Sequence, residues 1–336
     1  MKNLKFIVIL LFIFLYTCPN SLLAWDEEPW SQIEARRSPI KAKRKIEYKK
    51  IKSEYKKYSI PFKVILPQGY ELEENKNKKY AVVLMLCGAS GARRGAGSEP
   101  LYFSVWCKLP RVMDNLSKNE LAKKDFSDMI TKDELAEFNK RLQKNHFVDF
   151  ITVDLWHPSA SRDIEYDLFV TKELLPYLRE NYRVYEGREF CGIDGACGGG
   201  ATALLIAFRN PEFFAVCGGM QTDLGSYPHV INIFNDNIDK IKTNKLSINL
   251  NTNQNDVCNS YDFNYHKNGD GTKEKIAAGA LAKLQEAVLE SGSSCEVKIF
   301  KYCSHGYSAY RYPNGHDSML FYSEKFTEAL NGTRHN

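Results

Sequence analysis

Gly195-Ala196-Cys197-Gly198-Gly199-Gly200 is the segment of this chain best suited to covalent chemistry. It lies between a short apolar stretch, Glu189-Phe190-Cys191-Gly192-Ile193, and an apolar run that reads as a buried helix, Ala201-Thr202-Ala203-Leu204-Leu205-Ile206-Ala207-Phe208. Strand, glycine-rich turn and helix in that order form a nucleophile elbow, G-x-S-x-G, here with cysteine where serine is usual. Such a turn lifts the side chain above a sheet at a helix N-terminus, where the helix dipole and a neighbouring imidazolium both favour thiolate. Attack by that thiolate on a carbonyl would leave an acyl-thioenzyme. Two other nucleophiles compete on residue type: Ser90, in the look-alike Gly88-Ala89-Ser90-Gly91-Ala92, and Asp194, in Gly192-Ile193-Asp194-Gly195. A thiol also needs a base and a group to orient it. His305 and His316 both follow the last strand-like run, and Asp256 ends the polar segment Asn251-Thr252-Asn253-Gln254-Asn255-Asp256. No C-x-x-C pair, H-E-x-x-H or phosphate-loop Lys-Ser/Thr is present, so no metal and no cofactor is expected.

The elements that must position these residues alternate. Phe62–Leu66 is a strand closed by Pro67, and Tyr80–Cys87 is a continuous apolar run suited to a central strand covered on both faces. Thr131-Lys132-Asp133-Glu134 is a capping box opening a helix to about Lys144. Phe147–Leu155 reads as a strand, Ile164–Asn181 as a helix, and the elbow helix stops at Asn210-Pro211. Further strands are expected at Phe214–Met220, Lys245–Asn251 and Cys295–Tyr302, and helices at Thr272–Ser291 and Ser318–Leu330. This alternation predicts a mostly parallel central sheet with helices on both faces, an α/β class, with residues 92–130 as an insertion over the sheet.

Lys2 and Lys5 flank an apolar core, Phe6–Tyr16, followed by Ser21-Leu22-Leu23-Ala24. This pattern predicts a cleaved signal peptide over residues 1–24 and a secreted or periplasmic protein. Leu15-Tyr16-Thr17-Cys18 loosely matches a lipoprotein box, which would lipidate Cys18 and anchor the protein. A basic arm over residues 25–44 precedes the main domain at 45–332. From Arg36 to Lys57 there are eleven Lys/Arg against two Glu, mixed with aromatic and aliphatic residues. The run suits an edge hairpin guarded by lysines, with weak contact to an anionic surface as its sharper use. The formal net charge of +5 is too diffuse to indicate nucleic acid. Nine cysteines are present, eight without Cys18; export permits disulfides, but spacing alone assigns none.

The order of these segments resembles the putative-esterase group of the α/β-hydrolases, which includes S-formylglutathione hydrolases, feruloyl esterases and mycolyl-transferring antigens. Phe62–Pro67 with Gly69-Tyr70 is similar to the opening strand and "LPxGY" turn. Leu84-Met85-Leu86-Cys87-Gly88 is similar to the "LLHG" segment, with Cys87 replacing histidine. Tyr166–Leu178 follows the "EL-x-P" helix, and Gly195–Phe214 follows the elbow and its helix. In that family the nucleophile precedes the proline of "HPxxF" by fourteen residues, as Cys197 precedes Pro211. The resemblance therefore selects Cys197, and it moves Ser90 into the oxyanion loop. It implies backbone N–H groups of Gly198 and Ala89 as the oxyanion hole. The order nucleophile…Asp…His implies Asp256 as the orienting acid. Gly315-His316-Asp317 looks like the "GGHDW" segment, which favours His316 as base; His305, His157 and Ser90 would then line the pocket. The expectation is an ester or thioester hydrolase, or acyltransferase, acting on a small-molecule or glycan- or lipid-linked substrate. The rival is a lapsed, esterase-like binding protein at the cell surface, since fold does not imply function. It predicts a Cys197 that is buried or bonded to Cys191 or Cys217.

Overall fold

The apolar runs become the middle of a sheet. The computed structural model describes residues 43–93, 95, 100–158, 163–256, 263–267, 273–277 and 279–333, those of 263–277 by backbone alone. The strands are β1 (Ile46–Lys52), β2 (Ser59–Ile65), β3 (Val82–Leu86), β4 (Ile151–Leu155), β5 (Cys191–Gly195), β6 (Val216–Met220), β7 (Ser247–Asn255), β8 (Phe263–Lys267), β9 (Lys273–Ala277) and β10 (Ser294–Ser304). Eight of them form one sheet in the order β1-β2-β4-β3-β5-β6-β7-β10, and β8 and β9 pair separately. β1 and β2 are antiparallel to their neighbours; every pairing from β4 through to β10 is parallel. β3, β4 and β5 are buried along their whole length, as continuous apolar runs require. Leu86 pairs with Leu155 on one side and Gly195 on the other, so the C-terminal ends of three central strands lie level. Open α/β sheets build their sites at that edge.

Helical segments cover both faces. The Thr131 capping box is formed: Glu134 N–H donates to Thr131 Oγ1 (3.1 Å), and Thr131 N–H donates to Glu134 Oε2 (2.7 Å). The helix expected over 164–181 is present, with one π turn at Phe169–Leu174 in its middle. The 92–130 insertion folds as a π turn (Tyr102–Trp106), a helix (Leu109–Leu116) and a 3₁₀ turn (Lys123–Phe126).

Two expectations at the C-terminal end are corrected. The helix placed from Thr272 starts at Gly279, because Lys273–Ala277 is paired as β9 with β8. The last helix begins at Pro313 rather than Ser318. That five-residue difference places His316 inside the helix. The signal segment, Cys18 and residues 25–42 of the basic arm lie outside the described residues.

The end of the arm is anchored, unlike a solvated basic face. The Arg44 side chain is fully buried: Nε donates to Asp114 (2.8 Å), and Nη1 donates to both oxygens of Asp149 (2.7 Å each). Lys43 N–H donates to Asp114 as well. Arg44 thus ties β1 to the insertion and to the entry of β4. Removing one partner of a buried ion pair strands the remaining charges. Arg44→Ala is therefore expected to lower unfolding free energy by about 3–5 kcal/mol, measured by urea titration. A loss under about 1 kcal/mol would show that the pair behaves like a solvated surface bridge.

Candidate active site

The elbow is formed by close backbone approach. Cys197 sits between β5 and the helix Gly198–Arg209 with φ 54° and ψ −122°, a conformation that side chains disfavour and that strained functional turns use. Two contacts hold it: Ala196 N–H donates to Leu86 O (3.1 Å), and Cys197 N–H donates to Met220 O (3.0 Å). The motif glycines have a direct steric reason. A methyl on Gly195 would come within 2.3 Å of the Gly199 carbonyl, and one on Gly199 within 2.3 Å of the carbonyl oxygens of both Leu86 and Cys87. Cys197 is half-buried and in no disulfide, and Cys191 and Cys217 are buried thiols. Ala89 opens the short helix Ala89–Ala92 just past β3. Among the described residues, neither the Ala89 nor the Gly198 N–H donates to a protein acceptor. Both are therefore available as oxyanion donors.

Asp256 follows β7 directly and is fully buried. Its Oδ2 accepts from Thr252 Oγ1 (2.5 Å), and its Oδ1 accepts from Nδ1–H of His305 (2.9 Å). The register of β10 against β7 shifts between Phe300 and Ser304, and Cys303 takes φ 73°. This irregularity re-aims the end of the strand, as bulges do, and delivers His305 over the sheet edge. The Cys197 side chain is within hydrogen-bonding reach of the same imidazole, whose Nε2 also lies 3.3 Å from Tyr310 Oη. Burial opposes the imidazolium, but Cys197 and the bond to Asp256 outweigh it and hold His305 well above the ordinary histidine range.

The structure thus brings Cys197, His305 and Asp256 together and leaves His316 out. His316 lies inside the last helix, where Nδ1–H donates to Tyr312 O (2.6 Å) and the ring packs at a tilt against Phe126, centroids 4.4 Å apart. Among the described residues its buried Nε2 has no hydrogen-bond partner, and burial pushes its pKa down to about 4. The preference for His316 is therefore reversed: the helix begins three residues before it and carries it into the core. His305, assigned to the rim, takes the place beside Asp256.

The other expected pocket residues form walls. Ser90 Oγ is 2.6 Å from Tyr307 Oη. His157 is buried with Nε2 2.6 Å from Cys87 O and Nδ1 2.7 Å from Pro158 O; burial lowers its pKa, against the pull of those carbonyls and Cys197. Asp194 points away, accepting from Gly195 N–H (2.6 Å) and Ser318, with burial raising its pKa to about 7. Four tyrosines complete the surroundings, and no motif in the sequence points to them. Tyr102 and Tyr227 each interact electrostatically with Cys197, and a methyl on Gly88 would come within 2.4 Å of the Tyr102 hydroxyl and one on Gly198 within 2.8 Å of that of Tyr227. The Tyr102 ring packs at a tilt against Tyr307 (centroids 5.2 Å apart) and Tyr310 (6.0 Å), so the insertion supplies one wall. Among the described residues, no group of three or more His, Cys, Asp or Glu side chains could hold a metal.

The family model described as "Putative esterase" matches residues 53–222, just over half of the 336 residues. The chain belongs to the putative esterase family. The matched span includes the elbow and ends before Asp256 and His305. Solved structures share the fold across most of both chains. A ferulic acid esterase superposes with a TM-score of 0.57 at 16% identity, covering 84% of this chain and 99% of its own. A mutant feruloyl esterase module from Clostridium thermocellum, complexed with sinapinate, gives 0.53 at 13% identity, covering 86% and 90%. The S-formylglutathione hydrolase of Staphylococcus aureus gives 0.50 at 10% identity, covering 83% and 99%. The α/β-hydrolase fold expected of a putative esterase is present, and at these identities the likeness is one of fold.

The two histidines separate in one measurement. Site-resolved iodoacetamide alkylation of Cys197 near neutral pH is expected to slow by about tenfold or more in His305→Gln, which removes the charge beside the thiol. In His316→Phe, which keeps the buried ring, the rate is expected to stay at the wild-type level. The opposite ranking would restore His316 as the partner.

Proposed function

We propose that this protein is an ester or thioester hydrolase, or acyltransferase, that works through Cys197, with His305 as base and Asp256 as its orienting acid. Family membership and fold support an ester hydrolase. The observation that carries the finer reading is the single imidazole joining buried Asp256 to the elbow thiol. In this mechanism His305 takes the Cys197 proton and the thiolate attacks the acyl carbonyl. The N–H groups of Ala89 and Gly198 receive the developing oxyanion. His305 then returns the proton to the leaving alcohol or thiol, leaving an acyl-thioenzyme. Water, or an acceptor hydroxyl, attacks that thioester while His305 again takes and returns one proton. Cys197 recovers its proton with release of the acid or the new ester. The tyrosine wall suits a planar acyl group in an ester carried by a small molecule, glycan or lipid. The N-terminal leader pattern supports export. A lapsed binding protein is less well supported, because Cys197 is partly exposed and not disulfide-bonded.

Hydrolysis of p-nitrophenyl esters tests this directly. Cys197→Ala is expected to lose at least about 10³-fold in kcat/KM. Cys197→Ser keeps a nucleophile in place and is expected to retain measurable turnover. Full activity in Cys197→Ala would sink the mechanism.

The pH profile is a second test. His305 must be protonated when the leaving group departs, so activity falls as pH rises through its folded pKa. That pKa is raised, so the alkaline limb should lie well above the ordinary histidine value of about 6.5. Asp256→Asn removes an anion that stabilises the imidazolium. The limb should move to lower pH, with kcat/KM down on the order of 10²–10⁴-fold. An alkaline limb that does not move would remove Asp256 from this role.

A further inference from the structure

Gln221 is the residue after β6. It is fully buried and has φ 47°, a left-handed backbone that glutamine rarely adopts. Its amide is completely used. Nε2 donates to Asn253 Oδ1 (2.8 Å) and to Ser304 O (3.0 Å), and Oε1 accepts from Gly306 N–H (2.9 Å). Ser304 and Gly306 are the two neighbours of His305, so one side chain grips the histidine loop on both sides. Asn253, near the end of β7, holds Asp256: its carbonyl accepts from Asp256 N–H (3.0 Å), and its Nδ2 donates to Tyr302 O (2.5 Å). The Gln221 backbone N–H donates to Asn251 O (2.7 Å), and the preceding carbonyl, of Met220, accepts from Cys197 N–H (3.0 Å).

We infer that Gln221 is the positioning residue that sets the relative placement of Cys197, His305 and Asp256. The inference rests on the proposed roles of those three. It explains why a costly backbone conformation is kept in the core. The left-handed turn aims the amide across the ends of β7 and β10, where the acid and base leave the sheet. His305 follows an irregular strand end, so hydrogen bonds rather than regular pairing must fix its height. A primary amide meets the demand because it supplies two donors and an acceptor without charge beside the imidazolium. Among the described residues the Gln221 side chain bonds to Asn253, Ser304 and Gly306 and not to Cys197, so it acts through the residues it holds.

Three variants test this against a purely structural role. In Gln221→Met, which keeps length and burial, kcat should fall about 10- to 100-fold, the scale of a small misplacement of reacting groups, with KM nearly unchanged. In Gln221→Gly, which relieves the positive φ but removes the amide, the same loss is expected, so backbone strain alone is not the cause. Gln221→Glu carries the decisive signature. When protonated, its carboxyl can still accept from Gly306 and donate to Ser304 or Asn253; when ionised, it faces their oxygens with charge. Activity and the alkylation rate of Cys197 should therefore recover at low pH and fall with rising pH through an ionisation absent from wild type and Gln221→Met. The pH signature within one folded variant keeps the test informative even if Gln221→Met folds poorly. Wild-type kcat in Gln221→Met, or a Gln221→Glu pH profile identical to wild type, would overturn the inference. Those results with an inactive Cys197→Ala would leave the proposed mechanism standing; an active Cys197→Ala would remove the mechanism itself.

Discussion

Everything at the candidate site depends on one seating: the first turn of the elbow helix resting on the carbonyl ends of β3. Gly199 lies so close to the Leu86 and Cys87 oxygens that no side-chain carbon fits between them. The approach shortens the link between β5 and the helix Gly198–Arg209 until Cys197 must take φ 54°. Such a conformation costs on the order of 1–3 kcal/mol and persists only where the surroundings over-determine it. Here they do so from three sides. Hydrogen bonds from Ala196 and Cys197 tie the turn to β3 and β6, and the helix behind it is buried from Gly198 to Phe208. At its far end Arg209 pairs with Asp167 (2.5 Å), fixing the helix to the segment over 164–181.

Around this seating the fold uses buried charge to hold loops that pairing alone would leave loose. Asp317 is fully buried, yet its carboxyl stays well below the ordinary range: burial opposes ionisation, and Lys298 (2.8 Å) and Arg141 (2.6 Å) outweigh it. Asn249 and Asn251 of β7 donate to the same carboxylate. The first turn of the last helix is thereby fixed to β7, to β10 and to the helix Lys132–Lys144. Gly315-His316-Asp317 is thus a structural junction whose working charge is the aspartate. Asp256 and His305 use the same chemistry differently, since there the buried carboxylate orients an imidazole toward a thiol.

Much of this was legible from residue order. Gly195 and Gly199 announce the elbow because only glycine fits so close an approach, and Asp256 could be placed from the family order of nucleophile, acid and histidine, a few residues past the expected strand end at Asn251. The capping box at Thr131 and the helix over 164–181 were readable because their signals are local. His305 and His316 both follow the last strand and each sits beside a glycine, and the likeness of Gly315-His316-Asp317 to "GGHDW" favoured the wrong one. The choice turned on where a helix starts, and Pro313 permits a start that buries His316. Likewise Lys273–Ala277 reads as the beginning of a helix, but its pairing with β8 prevails. Gln221 and Tyr102 carry no motif, and only contacts over long sequence separation reveal them.

By itself, then, the sequence determined the sheet-and-helix alternation, the elbow and the identity of its thiol, because short-range sterics and hydrophobic periodicity act along a few neighbouring residues. The tertiary structure decided which histidine faces Asp256, that Arg44 is buried and paired, and that one glutamine amide grips the histidine loop. Those outcomes depend on helix starts, strand irregularities and buried hydrogen bonds between residues 32 to 105 positions apart. Local pattern carries no energy term for such pairings.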